Sequence, residues 1–395
     1  MESNNGTSGR VRPRVLIAAE WFPPAFRAGG PIRSVAHLAA FLAETHEVRV
    51  VTGGYDLGQP APLPGVVLDV WQKVFLAEHG QAVEVIYLPK GAANRERWSA
   101  LFQEWRPDFL HLNSLYSWGF ALLPLQVAHR HPKTRVVVAP RGMLGAAALA
   151  IKPLKKRFFW KFMKVRGWFD DVLWHVSSSH EAEEVKAMFF GRILDIEVAQ
   201  NLPAPPPPPG PPRETDRWIL AVVGRVHPVK RVLEVLESLR VLSAEGDLPR
   251  WELHIIGPEE DAGYAARCRN LAERLPHPVV FHGGLSPEQV GEWLDRSHFL
   301  LSPTQQENFG HAIVEAWSRG CGVVLSDRTP WRGLAEAGIG WEGAVETGEW
   351  RAGLAQMLTM EVGQWIQLSD RAREFYRLRV LDPRVLEANR RIFEA

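Results

Sequence analysis

The chain has 395 residues, of which 46% are hydrophobic and 23% charged, and its formal net charge is +1. This balance is typical of a folded globular protein and excludes disordered and fibrous proteins as the main class. The length exceeds what one hydrophobic core usually organises, so we expect two or three domains.

The sequence predicts neither a targeting segment nor a membrane span. The first ten residues, MESNNGTSGR, are polar and lead into no apolar stretch, so we expect no secretory signal. No window reaches the roughly 18 uninterrupted apolar residues of a spanning helix. Cys268 and Cys321 lack metal-ligand or redox spacing, and we expect two reduced thiols of a cytoplasmic protein.

The first half of the chain alternates predicted strands with predicted helices. Short apolar runs indicate buried strands, and the first helical pattern, over 34–44, has Ser34 as its expected cap. The predicted strands are 14–20, 47–53, 83–89, 108–113 and 135–140. This alternation is typical of a doubly wound α/β domain with a parallel sheet.

A proline-rich segment, QNLPAPPPPPGPPRETD, separates this half from a second alternating half and predicts a semi-rigid connector. After it we expect strands at 218–226, 251–257, 279–284, 298–303 and 322–327, and helices near 229–243, 262–275 and 310–319. The predicted organisation is a disordered tail (1–12), an N-terminal α/β domain (13–200), a linker (201–216), a C-terminal α/β domain (217–375) and a final helix (376–395) that could pack back on the N-terminal domain.

The most informative segment, SPTQQENFGHAIVEAWSRG, follows a predicted strand and opens a helix. Glu307 and Glu315 lie eight positions apart, about 12 Å if the span is largely helical. Each carboxylate can accept hydrogen bonds from two neighbouring hydroxyls, which suits the sugar and the ribose of a nucleotide-diphosphate sugar. The alternative is a solvated cap at Glu307 and an exposed helix residue at Glu315.

The helix start between the two acids offers backbone N–H groups to an anion. The residues concerned are Asn308, Phe309, Gly310 and His311. Free N–H groups and the helix dipole favour a diphosphate there, and Gly310 lets the backbone approach it closely.

A second segment, GRVHPVKR at 224–231, also follows a predicted strand. Arg225 and Lys230 can neutralise a diphosphate. The Arg225 guanidinium can donate two parallel hydrogen bonds to a phosphate, and the Lys230 ammonium group acts as a compact positive charge. A departing nucleotide diphosphate needs such positive charge nearby, because negative charge develops on it as the glycosidic bond breaks. Ordinary basic surface residues are the alternative.

Together these segments resemble glycosyltransferase family 4, a family of retaining enzymes with the GT-B fold. The resemblance also rests on SDRTPW at 326–331, Gly29-Gly30, PRGML at 140–144 and SSSHEAEEV at 177–185. It implies two Rossmann-like, doubly wound parallel-sheet domains that face each other across a cleft.

The resemblance implies a role for each matching position. Glu315 would hold the ribose, and Glu307 would contact the sugar hydroxyls. Arg225 and Lys230 would bind the diphosphate and, with Glu307, form the catalytic set, while the helix-start N–H groups assist. Gly29 and Gly30 would line the phosphate side of the cleft from the N-terminal domain. Donor binding in this family needs no metal, and a UDP- or GDP-linked sugar is the expected substrate, with no further cofactor.

The N-terminal half departs from the family pattern. His111 is retained, but Asn113 stands where many relatives have an active-site histidine, and Arg141-Gly142 stands where they often have His-Gly. Our hypothesis places His111, Asn113, Tyr116 and Arg141 on the acceptor side. A structural role at the strand ends is the alternative for Asn113 and Arg141.

A basic and aromatic stretch, IKPLKKRFFWKFMKVRGW at 151–168, lies in a region without any acidic residue between Asp108 and Asp170. Such a helix can lie on an anionic leaflet. The residues assigned to this membrane surface are Lys155, Lys156, Arg157, Trp160, Lys161 and Lys164. No nucleic-acid module accompanies the stretch; the remaining alternative is a core helix with its aromatic side packed inward.

The predicted function is retaining sugar transfer from a nucleotide-diphosphate sugar to a cell-surface glycan or lipid-linked acceptor, as in polysaccharide or lipopolysaccharide biosynthesis, peripherally on the cytoplasmic face of the inner membrane. One alternative is a nucleotide-sugar epimerase or a phosphorylase of the same fold. The other is a non-catalytic, membrane-associated scaffold. An epimerase would want further carboxylates and a histidine around the sugar, and a phosphorylase a pyridoxal lysine in a longer chain.

Overall fold

The computed structural model of the chain describes residues 12–150, 153–246 and 248–394. The tail expected over residues 1–12 falls, apart from Arg12, outside the described residues. The chain divides into two compact units. Unit 1 comprises the described residues up to Pro24, Val35–Val198 and the residues from Asn389 onward, and unit 2 comprises Ala25–Ser34 and Ala199–Ala388.

Unit 1 is built on a sheet with the strand order β3-β4-β2-β1-β5-β6-β7-β8. Its strands are β1 (Arg14–Ala18), β2 (Glu47–Gly53), β3 (Trp71–Leu76), β4 (Gln81–Leu88), β5 (Phe109–Leu112), β6 (Arg135–Val138), β7 (Val172–Val176) and β8 (Asp195–Val198). Neighbouring strands run parallel except for β3 and β4, which pair antiparallel at one edge. The doubly wound sheet is thus confirmed, with an antiparallel edge strand that the sequence did not predict.

The helices of the N-terminal half follow the strands. They are α1 (Gly30–Ala43), α2 (Arg95–Trp105), α3 (Leu123–Ala128), α4 (Ala146–Ala150), α5 (Pro153–Val165) and α6 (Ser179–Met188). The prediction that Ser34 caps the first helix is wrong. Helix α1 begins at Gly30, and the Ser34 hydroxyl donates back to the Gly30 carbonyl at 3.2 Å from inside the helix.

Unit 2 has the strand order β11-β10-β9-β12-β13-β14, and all of its strand pairs are parallel. The strands are β9 (Trp218–Val223), β10 (Trp251–Ile256), β11 (Val279–Gly283), β12 (Phe299–Ser302), β13 (Gly322–Ser326) and β14 (Gly340–Gly343). The helices are α7 (Val232–Glu245), α8 (Ala262–Ala272), α9 (Pro287–Arg296), α10 (His311–Ser318), α11 (Leu334–Ala337), α12 (Glu349–Leu358), α13 (Val362–Phe375) and α14 (Pro383–Arg391).

Each unit has its own hydrophobic core, because its buried parallel strands carry apolar side chains on both faces. In unit 1 this core includes Trp98, Phe102 and Trp174, and in unit 2 it includes Trp251 and Trp317. Across the described residues, no helix combines the length and the apolar character needed to cross a bilayer.

The proline-rich segment has no regular secondary structure over residues 201–214. Its Arg213 guanidinium donates to the carbonyls of Leu294 and Arg319, at 3.1 and 2.8 Å. The end of this segment is therefore tied to unit 2. Both cysteines, Cys268 and Cys321, are free and buried.

Candidate functional site

The strand order of each unit reverses at one point, where neighbouring strands send their connections to opposite sides. In unit 2 this switch lies between β9 and β12, and in unit 1 between β1 and β5. In open α/β sheets, ligands bind beyond the carboxyl ends of the strands at such a switch. The informative loops of unit 2, residues 224–231 and 303–310, leave these two strands.

The two loops of unit 2 are tied to each other by hydrogen bonds. The Gln305 amide and the Thr304 hydroxyl both donate to the Val229 carbonyl, at 2.8 and 3.2 Å. The Thr304 carbonyl accepts from Ser326 Oγ, at 2.6 Å. The amide of Glu307 donates to the Arg328 carbonyl at 3.0 Å. The backbone that carries the first acid is therefore fixed before any ligand arrives.

Helix α10 begins after Gly310, which adopts a left-handed conformation with φ 80°. The left-handed φ favours glycine at this cap, and a Cβ there would lie 2.6 Å from Ile313 Cδ1, so the Ile313 side chain would have to move. Residues 303–310 are not helical. The largely helical span that we assumed between Glu307 and Glu315 is therefore wrong, since only its second half belongs to α10.

Lys230 and Glu307 form an ion pair across the two loops. Lys230 Nζ lies 2.7 Å from Glu307 Oε2, and each side chain is 24% exposed. Lys230 is the last residue of a short 3₁₀ turn, Pro228–Lys230, in the loop that follows β9. A partly enclosed cation and a carboxylate thus meet close to the start of α10.

Arg225 is placed differently from Lys230. Its guanidinium pairs with the carboxylate of Glu260, in the loop after β10, and both side chains are substantially exposed. The structure therefore brings Lys230 to Glu307 but holds Arg225 against another acid. An exposed ion pair of this kind contributes little free energy, so a phosphate can replace its carboxylate.

Glu315 lies on α10 and pairs with Arg33, with Arg33 Nε 2.7 Å from Glu315 Oε1. Both side chains are mostly buried. Neighbouring Ser34 Oγ lies 2.8 Å from His311 Nε2, and a Cβ on Gly30 would lie 3.6 Å from the His311 ring. Segment Ala25–Ser34 is therefore part of unit 2.

Gly29 and Gly30, predicted to act from the N-terminal domain, lie in the segment that packs with unit 2. Gly29 has φ 72° and Gly30 begins α1, and both belong to unit 2. Arg33 was not predicted as a site residue, and Ser34 was predicted only as a helix cap, although both follow closely on the Gly29-Gly30 pair. No local periodicity links them to residues almost 300 positions away.

The turns after β9 and β10 approach each other closely. A Cβ on Gly257 would lie only 1.9 Å from the Gly224 carbonyl oxygen. The Gly257 amide donates to Gly283 at the end of β11, at 2.8 Å. The ends of the three strands thus lie close together around Gly257-Pro258.

Unit 1 carries a buried polar chain at its own switch point. Arg141 donates to Asn113 Oδ1 at 3.1 Å, Asn113 Nδ2 lies 3.0 Å from His111 Nδ1, and His111 Nε2 lies 3.2 Å from His175 Nδ1. Three of the four acceptor-side residues are therefore linked directly. His175 was not singled out by the sequence, because a histidine inside an apolar strand gives no local signal.

The charge states of the side chains in this hydrogen-bonded network follow from their burial. Burial lowers the pKa of His111 well below its usual value, and the nearby His175 and Arg141 lower it further, so the ring is neutral at neutral pH. Burial also lowers the pKa of Arg141 to about 10, while Glu181 opposes the shift. Arg141 therefore stays charged and can hold an anionic or hydroxyl-bearing ligand.

Glu181 supports the turn that carries Arg141. Its carboxylate accepts from the Gly142 amide at 2.6 Å and from the Ser177 amide and hydroxyl at 2.7 and 2.8 Å. The SSSHEAEEV and PRGML motifs are thus joined in space by one buried carboxylate.

Glu20 and Ser117 follow the two strands at this switch point, β1 and β5. Desolvation raises the pKa of Glu20, and a hydrogen bond with Ser117 acts against that rise. From the sequence, Glu20 was predicted only as the last residue of the strand 14–20. Its position and its raised pKa make it a further acidic candidate on this side.

The basic and aromatic helix α5 presents a different face from the one expected. The assignment of Trp160 to a membrane surface is wrong: it is buried, and its Nε1 donates to the Tyr116 hydroxyl at 3.0 Å. Lys156 and Lys164 are half-buried, with Lys156 Nζ 4.9 Å from the Tyr116 ring centroid. Lys155, Arg157 and Lys161 are exposed.

Six large apolar side chains of unit 1 are exposed on α5 and just after α6, and we call this set the apolar edge. Its members are Leu154, Phe158, Phe162 and Val165 on α5, and Phe190 and Ile193 after α6. The second segment packs on the end of α5, because Arg192 donates to the Lys164 carbonyl at 2.6 Å. Phe158, Phe190 and Ile193 are 72%, 94% and 100% exposed, which is unusual for side chains of this size.

The fold and the two switch-point sites define a two-domain, doubly wound α/β protein. Residues 29–201 match the family model of the glycosyl transferase 4-like domain, and residues 209–370 match that of glycosyl transferases group 1. The boundary between the matches falls in the proline-rich segment. The chain belongs to glycosyltransferase family 4, and the predicted family is confirmed.

Two curated relatives are similar over part of their length. They are GDP-mannose:cellobiosyl-diphosphopolyprenol alpha-mannosyltransferases. The one from Xanthomonas campestris is 34% identical over 119 residues, 30% of this chain and 31% of that protein. The one from Xanthomonas oryzae pv. oryzae is 36% identical over 110 residues, 27% of this chain and 29% of that protein. The chain thus aligns with less than a third of the length of each.

Solved structures resemble the chain over nearly its full length. Anabaena HepE in complex with UDP-glucose matches with a TM-score of 0.66 and 14% identity, covering 96% of this chain and 98% of that one. WaaG, a glycosyltransferase involved in lipopolysaccharide biosynthesis, matches with a TM-score of 0.62 and 16% identity, covering 97% and 100%. At these identities the likeness shows the fold alone, which is the predicted GT-B fold.

Proposed function

We propose that this glycosyltransferase moves a sugar, with retention, from a nucleotide-diphosphate sugar to a lipid-linked or cell-surface glycan. The observation that carries the proposal is the Lys230–Glu307 ion pair at the start of α10, at the switch point of unit 2. A cation, a carboxylate and the amides at a helix start are what a sugar diphosphate requires.

Each residue of unit 2 receives one task in this proposal. Lys230 stabilises the charge that develops on the departing diphosphate, with Arg225 released from Glu260 to assist. Glu307 accepts from hydroxyls of the donor sugar. Glu315 accepts hydrogen bonds from the ribose hydroxyls while its ion pair with Arg33 holds the carboxylate in place.

Retention follows if the acceptor attacks from the face that the diphosphate leaves. The leaving phosphate oxygen then takes the proton of the acceptor hydroxyl, so no strong general base is required. The rate comes from positioning and from charge stabilisation by Lys230. The proposed step uses no resident metal or cofactor.

The relatives suggest which donor and acceptor to test first. Their names specify GDP-mannose and a cellobiosyl-diphosphopolyprenol, while HepE was solved with UDP-glucose. We propose GDP-mannose as donor and a diphosphopolyprenol-linked saccharide as acceptor. GDP-, UDP- and ADP-sugars would be compared by calorimetry, and the anomeric configuration of the product determined by NMR.

The outcomes of this experiment separate the alternatives. Binding of one donor, together with a product whose anomeric configuration is the same as that of the donor sugar, would support retaining transfer. Conversion of the sugar nucleotide without acceptor would indicate an epimerase. Binding of no nucleotide sugar by the folded protein would refute the proposal and favour a scaffold.

On the acceptor side, we expect Asn113→Ala and Arg141→Lys each to lower the transfer rate about 10–100-fold, because a displacement near 1 Å misaligns an attacking hydroxyl. Arg141→Lys keeps the charge but loses the fork that reaches Asn113. Donor affinity should stay unchanged in both variants, since donor binding is assigned to unit 2. Wild-type transfer rates would remove Asn113 and Arg141 from the site.

The apolar edge is proposed to dock on an anionic membrane surface. Its large exposed rings and aliphatic side chains would enter the headgroup region, while exposed Lys155, Arg157 and Lys161 on the same helix would meet anionic lipids. This placement would bring a polyprenol-linked acceptor to the enzyme without a spanning helix.

We expect the double variant Phe158→Asp/Phe190→Asp to lose at least about tenfold in affinity for liposomes that contain anionic lipid, because two charges enter the inserted face. Ile366→Asp is the matched control, since Ile366 is an exposed apolar residue of α13 outside the edge. Co-sedimentation at low salt measures the effect. Equal sedimentation of both variants, or no sedimentation of the wild type, would contradict the membrane proposal.

A further inference from the structure

Two histidines and a glutamate of unit 1 bring their ligand atoms together away from the residues assigned above. His37 lies on α1, and Glu78 and His79 lie in the turn between β3 and β4. Their ligand atoms all lie within 4.8 Å of one another. His37 Nδ1 is 2.6 Å from His79 Nε2 and 3.8 Å from Glu78 Oε2.

The chemistry of this donor set fits a borderline transition metal. Two imidazole nitrogens and one carboxylate oxygen form a set that zinc proteins use, with a fourth position left for water. Imidazole suits Zn²⁺, Ni²⁺ and Cu²⁺, whereas Mg²⁺ and Ca²⁺ prefer oxygen ligands. We propose that His37, Glu78 and His79 form a binding site for a divalent transition metal, Zn²⁺ above all.

The geometry requires only a small adjustment to accept the ion. Two zinc–nitrogen bonds of about 2.0 Å at the tetrahedral angle hold the nitrogens about 3.3 Å apart. The rings of His37 and His79, whose planes are inclined by 58°, would therefore separate by less than about 1 Å. His79 and Glu78 are on a short turn and only partly covered, so this movement needs no change in the core.

The ligands of the cluster are carried by one helix and one short turn. His37 is buried within a helix of 14 residues, which fixes the direction of its ring. The turn that carries the other two ligands ends at Gly80, whose left-handed φ of 62° sends the chain back into β4. The ion would therefore cross-link α1 to the antiparallel edge of the sheet, and its binding would stabilise the folded state.

The metal proposal is independent of the proposed transfer reaction. None of the donor-site or acceptor-side residues named above contributes a ligand, and the ion takes part in no step. Its test therefore needs no activity assay, and its failure would leave the glycosyltransferase proposal untouched.

The test uses full-length protein without a polyhistidine tag, stripped with a chelator and titrated with Zn²⁺ by calorimetry. We expect one Zn²⁺ per chain and a rise in melting temperature as zinc is added. His79→Gln should weaken zinc binding by at least about tenfold and abolish most of that rise, because one direct ligand is lost. Glu78→Gln should weaken it less, since an amide oxygen is a poorer ligand.

His180→Gln is the matched control, because exposed His180 pairs with Glu184 on α6 and, among the described residues, the pair belongs to no cluster of three metal-ligating side chains. This variant should bind zinc like the wild type. His79 is chosen over buried His37 so that the apo variant remains folded, which an unchanged melting curve without zinc would confirm. Equal zinc affinity in His79→Gln and the wild type, or no zinc binding at all, would overturn the site.

Discussion

Replacing Lys230 with methionine is expected to lower the transfer rate about 10²–10³-fold, the usual effect of removing one group that stabilises developing negative charge. Methionine keeps most of the length of the side chain and removes only its charge. Folding should be little affected, because Lys230 and its partner Glu307 are both partly exposed. Steady-state transfer at saturating donor, with melting curves of both proteins, measures the effect.

Arg240→Met provides the control for Lys230→Met. Arg240 is an exposed cation on α7 in the same unit, and its loss should leave the rate unchanged. If both variants transfer sugar at the wild-type rate, Lys230 has no part in leaving-group stabilisation. A selective loss in Lys230→Met would instead tie the reaction to the loop after β9.

Gly257→Ala is expected to destabilise unit 2 by at least about 1–3 kcal/mol, the usual cost of overpacking. The added methyl group would lie 1.9 Å from the Gly224 carbonyl oxygen, so one of the two strand-end turns must move. Because Gly224 precedes Arg225, that movement should also weaken donor binding. Denaturant unfolding and calorimetric titration with the donor measure the two effects.

Gly263→Ala is the matched control for this glycine. Gly263 lies in helix α8, where a Cβ would meet only Asp261 Oδ1 at an ordinary 3.5 Å. Alanine in a helix is favoured over glycine by up to about 1 kcal/mol, so this variant should be neutral or more stable. Equal stability and donor affinity of Gly257→Ala and the wild type would disprove the close approach of the two turns.

The alternation of short apolar runs with helical periods was enough to predict β9 to β13 and helices α7, α8 and α10 of unit 2, but not α9, β14 or α11 to α13. Buried parallel strands such as β9 and β12 are nearly continuous apolar runs, and their ends are marked by Gly or Pro. The site loops 224–231 and 303–310 could be located for the same reason. Their residue types then pointed to a diphosphate and a sugar.

Strand β3 shows why an edge element escaped prediction. Its sequence WQKVFL is interrupted by the polar pair Gln72-Lys73, and the strand is mostly uncovered. It pairs antiparallel with β4 through a turn that the sequence marks only with Gly80. An edge strand has one neighbour and little burial, so a search for continuous apolar runs misses it.

The Arg33–Glu315 pair and the burial of Trp160 show a second limit of prediction from the sequence. Arg33 meets an acid 282 positions later, and nothing local in either segment specifies that partner. Trp160 lies in a helix with rings on several sides, so the sequence does not fix which ring faces inward. Contacts with Phe169 and Phe189 in unit 1 determine that the Trp160 ring faces inward. The centroids of both rings lie 5.6 Å from that of Trp160.

The most direct test of the account compares nucleoside diphosphate with monophosphate binding. Calorimetry would measure the affinities of GDP and GMP, and of UDP and UMP, for the wild type and for Lys230→Met. We expect the wild type to prefer one diphosphate over its monophosphate by at least about tenfold, since a charged hydrogen bond contributes about 1.5–3 kcal/mol. In Lys230→Met most of that preference should disappear. The same preference in both proteins would contradict the assignment of the diphosphate to Lys230 and the start of α10.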